Sequence, residues 1–172
     1  MPTNYYIVEE LQTYLVAQGV GQLPNAAPSA TVPSIWIQPR DGARLPGKPR
    51  GSYSATAAKV ETTTITLTDT QTGSPMNGGL EAYLDEAFID VIVRSKTAAP
   101  GKLVHRTIRG LLHPTGDLFG KKGWTMNSVF VEYSNIWRAE QALPTLSTDG
   151  EVQTYDRVAS YRIGARRANL TA

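Results

Sequence analysis

The sequence predicts an α+β fold. It would be a mostly antiparallel sheet of about five strands with two main helices packed on it, and a long basic loop after the first strand. Three observations predict this. Apolar residues near the N-terminus recur at helical spacing. The stretch Phe88 to Leu112 changes period in its middle, from strand to helix. Segments rich in threonine, valine and aromatic residues, at 59–68, 126–141 and 152–165, alternate as strands do. Hydrophobic content of 41% and charged content of 19% are those of a folded domain, and 172 residues fit a single one spanning 1–172.

Residues 4–18 form the first helix. Thr3 or Asn4 can cap it, and Ile7, Val8, Leu11, Tyr14 and Leu15 make an apolar stripe. Glu9 and Glu10 favour its N-terminal half, and Gly19 and Gly21 stop it. A proline-rich connector leads to the short strand Ile35-Trp36-Ile37, which ends at Pro39. Residues 39–58 hold Arg40, Arg44, Lys48 and Arg50 among prolines and glycines. That composition predicts a mobile basic loop, either a contact for nucleic acid or an acidic neighbour, or a solvated linker. Lys59 to Thr68 is the next strand. Thr63, Ile65 and Leu67 share one face, while Thr62, Thr64 and Thr66 look outward, as on an edge or half-exposed strand. Residues 69–79 are turn chemistry, and Leu80 to Asp85 can form one helical turn.

Phe88 to Val93 is nearly all β-branched or aromatic, with Asp90 its only charge; Arg94, four residues on and on the same strand face, is the partner expected for it. After the corner Thr97-Ala-Ala-Pro100 a helix begins, with Pro100 tolerated in its first turn. Val104, Ile108, Leu111 and Leu112 form its stripe. Lys102, Arg106, Arg109 and His113 lie opposite, with His105 beside them. Loops at 113–123 lead to two closing strands. The first runs from about Met126 to Gln141, with Val129, Val131 and Tyr133 on one face, Phe130 and Glu132 on the other, and a bulge near Ser134-Asn135. The second runs from about Val152 to Ala165 with Tyr155, Tyr161 and Ile163 inward. A loose tail ends the chain at 166–172.

The net charge of +2 conceals segregation. Residues 59–100 hold six acidic against three basic groups, whereas 101–123 hold five basic against one acidic. Such a chain can present two electrically unlike faces to other copies of itself. No stretch approaches the ~20 apolar residues of a membrane span, and the first ten residues do not read as a secretory signal. Cysteine is absent, which removes disulfides and thiolate chemistry; a reducing cytoplasm and a virion both fit.

The residues offer little for catalysis. His105 and His113 are the only histidines, and their spacing does not match the i, i+4 geometry of a shared metal ion. Gly116 to Lys122 lacks the glycine spacing and the terminal Ser or Thr of a phosphate loop. Glu81, Asp85, Glu86 and Asp90 form an acidic run. It reads as a solvated patch or subunit contact, or as the carboxylate pair of a hydrolase built on Asp85, Glu86 or Asp90. The cationic helix face, with Arg40, Arg44, Lys48 and Arg50, reads as a polar surface for an acidic protein or as a nonspecific nucleic-acid contact. The sequence therefore predicts a non-enzymatic protein with no cofactor and no metal.

Glu10, Leu11, Tyr14, Leu15 and Gly19, followed by Val91, Val93, Arg94, Ile108 and Leu112, carry a resemblance. In this order, with a strand ending in Arg just before a helix, the chain resembles the tail terminator (tail-to-head joining, or minor tail) proteins of long-tailed bacteriophages. The resemblance implies a structural virion protein made in the host cytoplasm. It would form a ring, commonly a hexamer, that caps the tail tube and meets a head-completion or neck protein, with DNA passing through the lumen and no membrane involved. Another neck or tail component, such as a head–tail connector, is the alternative. On this reading Glu81, Asp85, Glu86, Lys102, Arg106 and Arg109 are candidates for subunit or tube contacts. Arg40, Arg44, Lys48 and Arg50 are candidates for a lumen or partner loop.

Overall fold

A computed structural model describes residues 5–38, 62–72, 84–145 and 154–166. The elements run α1 (Tyr5–Ala17), β1 (Ser34–Gln38), β2 (Thr63–Thr72), β3 (Leu84–Ser95), α2 (Ala98–Leu112), β4 (Lys121–Met126), β5 (Val129–Thr145) and β6 (Thr154–Arg166). The fold is α+β, as expected, with two helices among the described residues. The sheet differs from expectation: it is mixed and six-stranded among the described residues, in the order β1-β2-β3-β6-β5-β4. β1 pairs parallel to β2 and every other pairing is antiparallel.

Two features of the sheet account for the difference. β1 and β2 form a parallel pair, which strands joined by a tight turn cannot make, and they are separated by the stretch 39–62. The expected basic loop at 39–58 lies there, outside the described residues. The additional strand is β4, in a segment whose Lys121–Gly123 reads as loop. Met126 and Val129 close a two-residue hairpin around Asn127 and Ser128, and Asn127 takes a left-handed backbone (φ 52°) that asparagine tolerates.

β3 is the centre of the sheet and its side chains alternate strictly. Ala87, Ile89, Val91 and Val93 are buried on the face that carries the helices. Leu84 and Asp85, expected in a helical turn, belong to this strand. β2 is not an edge strand. β1 flanks it on one side and β3 on the other, and Thr64 and Thr66 are buried rather than turned to solvent. β6 reaches Arg166, the first residue of the expected loose tail; the remainder of that tail, 167–172, lies outside the described residues.

α2 lies over β3, β6 and β5 with Ile108 and Leu112 fully buried. Each such side chain is worth ~1.5–3 kcal/mol. Gly101 lets the first turn approach β3: a Cβ there would sit 2.6 Å from the Ser95 hydroxyl. α1 lies over β1, β2 and β3 and is also reached by β4, from the far edge of the sheet. The Tyr14 and Trp124 rings meet at 5.0 Å, and Asn127 and Ser128 donate hydrogen bonds to Glu10. The sheet therefore curls around α1. Register shifts in β5, between Val131 and Tyr133 and again between Ile136 and Gln141, supply the curvature. Buried Gln12 ties helix to edge by donating to the Ile35 carbonyl oxygen at 2.6 Å.

Candidate functional site

The described carboxylates of the acidic run, Asp85, Glu86 and Asp90, do not converge. Asp85 points to the helix face, where it is 5% exposed and accepts a hydrogen bond from the Tyr6 hydroxyl at 2.9 Å. Glu86 and Asp90 face the other way and stand four residues apart along β3, about 13 Å at strand rise. That exceeds the ~5–9.5 Å between the paired carboxyls of glycosidases. Asp90 does not take Arg94 as its partner. It accepts from the Ser160 hydroxyl, directly opposite on β6, while Arg94 forms a bidentate pair with Asp156 at 2.7 and 2.8 Å. Strand geometry is the reason: directly opposite cross-strand neighbours stand ~4.5–5.5 Å apart, whereas residues four apart on one strand stand about 13 Å apart. Glu81 lies outside the described residues, as do Arg40, Arg44, Lys48 and Arg50.

Glu86 is the anchor of the helix-free face. Arg162 of β6 grips it bidentately at 2.7 and 2.8 Å, and the Tyr133 hydroxyl donates to it at 2.5 Å. Burial pushes the Glu86 carboxyl up, and the hydrogen bonds from Arg162 and Tyr133 outweigh it, so its pKa falls below the ordinary value. The Arg162 guanidinium also lies 5.3 to 5.9 Å from the ring centroids of Phe88, Tyr133 and Trp137. Strand alternation alone puts Tyr133 on the face of Val131. The bulge at Glu132 turns it to the opposite one, over Gly164, where any Cβ would come within 2.5 Å of the ring.

α2 presents Lys102, Leu103, Arg106 and Arg109 to solvent. None of the three cations has a salt bridge among the described residues. His105 is not on that face. It points under the helix and is 1% exposed. Glu140 of β5 brings Oε2 to 3.3 Å from its Nδ1, so it does have a carboxylate neighbour, supplied from a distant strand. The contact is not aligned as a hydrogen bond, and both ring nitrogens lack one, as does the buried Tyr161 hydroxyl. Burial lowers the His105 pKa below 6.5; Glu140 opposes this, and Arg157 and Arg109 add to it. His113 caps the helix end and accepts a hydrogen bond at Nδ1 from the Ile136 N–H at 3.1 Å.

Beyond the C-terminus of α2 the loop 113–120 carries two exposed apolar side chains, Leu118 (89% exposed) and Phe119 (71%). Asp117 accepts a hydrogen bond from the Phe119 N–H at 3.1 Å, and Gly120 adopts φ 81° tight against the Ser134 carbonyl, where a Cβ could not fit. Lys122 lies over the Phe119 ring at 5.5 Å, and Lys121 donates to the Leu111 carbonyl at 3.3 Å. The adjacent pair between Gly116 and Gly120, belonging to no periodic pattern, is its sequence signal. Among the described residues no group of three or more His, Cys, Asp and Glu side chains has the arrangement to hold a metal ion. No described helix is long and apolar enough to cross a membrane. No protein-family model matches the chain, and no curated protein matches it.

Proposed function

We propose that this chain is the subunit of a structural ring, of the tail terminator kind, that caps the tail tube of a long-tailed bacteriophage and joins it to the neck, with DNA passing through the lumen. One observation carries the reading. The residues on which the resemblance rests form a single packing unit: Leu11, Leu15, Val91, Val93, Ile108 and Leu112 are fully buried, and Arg94 is pinned by Asp156. This unit leaves the cations of α2 directed outward. A hexamer is the closed ring favoured by the resemblance, and the partners would be the tube protein on one side and a head-completion protein on the other.

Light scattering on the purified protein, alone and after mixing with polymerised tail tubes, tests the proposal, with electron microscopy of the tube ends. The expected result is a closed oligomer, alone or formed on the tube, with density on one tube end. A protein that stays monomeric and leaves tubes uncapped overturns it. The exposed, unbridged Lys102, Arg106 and Arg109 favour a second reading, a nonspecific nucleic-acid-binding module. Salt-dependent binding to duplex DNA by the isolated monomer would support that reading instead.

A further inference from the structure

We infer that the C-terminal end of α2 is a docking tip: Leu118 and Phe119 insert into an apolar pocket bordered by carboxylates on a different protein, the end of the tail tube. The inference rests on the ring proposal for the identity of its partner and on three observations for its chemistry.

The first is the exposed pair itself. Leu118 and Phe119 present most of their surface to solvent on a loop held by the Asp117–Phe119 hydrogen bond, by a second from the Asp117 N–H to the Pro114 carbonyl at 3.3 Å, and by the close approach of Gly120 to β5. An anchor already ordered in the free protein loses little freedom on binding. An aromatic and an aliphatic side chain seated in a pocket are the kind of group that concentrates interface energy.

The second is charge. Arg109 lies in the last turn of α2, Lys121 donates to the Leu111 carbonyl there, and Lys122 lies over Phe119; Arg106 and Lys102 continue the cationic face along the helix. A carboxylate-bordered pocket complements that surround.

The third observation argues against a second copy as the occupant. Eight of the described carboxylates already have a partner in their own chain. Glu10 takes Asn127 and Ser128, Asp85 takes Tyr6, Glu86 takes Arg162, and Asp90 takes Ser160. Glu132 takes Arg166, Glu140 takes Arg157, and Asp156 takes Arg94. Asp117 takes the Phe119 N–H. The acidic residues Asp85 and Glu86, expected to meet α2 of a neighbouring copy, are thus committed at home while the cations of α2 are not. Asp117 argues against an anionic bilayer, because it places a carboxylate beside the pair that would enter it.

The test uses full-length protein and polymerised tubes of the cognate tube protein. The double variant Leu118→Ser/Phe119→Ser should keep the wild-type oligomeric mass and lose tube capping by about 30-fold or more, the scale of removing an interface anchor. A separate Arg106→Glu/Arg109→Glu variant should also weaken capping, and raising salt should weaken capping by the wild type. Capping by the serine variant at the wild-type level overturns the inference and leaves the ring proposal standing. So does a serine variant that falls to a monomer, which would make the tip a joint between copies. Binding of wild type, but not the serine variant, to phosphatidylserine vesicles would assign the tip to a membrane and overturn it. If wild type neither oligomerises nor binds tubes, the ring proposal fails and this inference with it.

Discussion

Replacing His105 by leucine should remove a pH dependence of stability that the α2–β5–β6 contact builds in. The imidazole is buried with both nitrogens unbonded, and the charged groups acting on it are Glu140 from β5, Arg157 from β6 and Arg109 from its own helix. Burial depresses its folded pKa below 6.5, and the two arginines reinforce that against the pull of Glu140. In the unfolded chain the same side chain binds its proton near 6.5. Between the two values the unfolded state holds more protons, so stability falls as pH drops. One group contributes at most ~1.4 kcal/mol per pH unit, so the loss reaches at most ~1.4 kcal/mol one unit below the unfolded pKa. Urea unfolding of wild type and His105→Leu at about pH 5.5, 6.5 and 7.5, at one ionic strength, measures it. The difference in unfolding free energy, wild type minus variant, should rise with pH and level off above about pH 7.5. A difference that is flat, or that falls with rising pH, would refute the reasoning.

Two further substitutions probe the opposite faces of the sheet. Tyr133 and Tyr161 both hold hydroxyls that burial pushes toward the neutral form, but only Tyr133 has a partner, the Glu86 carboxylate. Tyr133→Phe should cost ~1.5–3 kcal/mol, the range for a hydrogen bond to a charged group, whereas Tyr161→Phe should be neutral or stabilising. Equal losses in denaturant midpoint would show that the two hydroxyls are not in these environments. Gly164→Ala places a methyl 2.5 Å from the Tyr133 ring and should destabilise by ~1–3 kcal/mol through overpacking. Combining it with Tyr133→Ala, which empties that space, should recover most of the loss, and strict additivity of the two changes would exclude the contact.

The helices and the central strand were legible because their periods are local. Ile7, Val8, Leu11, Tyr14 and Leu15 recur on one stripe and are all buried; Val91 and Val93 alternate with Ile92 and Arg94, and the alternation survives intact in β3. The errors came where a partner elsewhere in the chain decides. Thr64 and Thr66 look solvent-facing in the sequence, yet both are buried, and β1 pairs along the edge that β2 was expected to expose. Tyr133 alternates with Val131 in the sequence but faces the other way, since a single bulged residue inverts the side-chain phase of the strand beyond it. β4 was missed because Lys121, Lys122 and Gly123 are exposed or only half-buried, so half of that strand carries no hydrophobic signal.

The candidate site divides in the same way. Composition and order alone determined that the chain has no cysteine, that acidic and basic groups are segregated along it, and that α2 carries a cationic stripe opposite an apolar one. Those properties belong to single elements or to totals. Only the tertiary structure decided which charges are spent. Glu86 is neutralised by Arg162, which lies 76 positions further along the chain, and Arg94 by Asp156, 62 positions on. His105 moved from the basic face to the core because α2 rests on β5 and β6, which bring Glu140 and Arg157 beneath it. An ion pair or a buried imidazole is a property of two or more elements meeting, and sheet register and bulge position set those meetings. No helical or strand period in the chain records them.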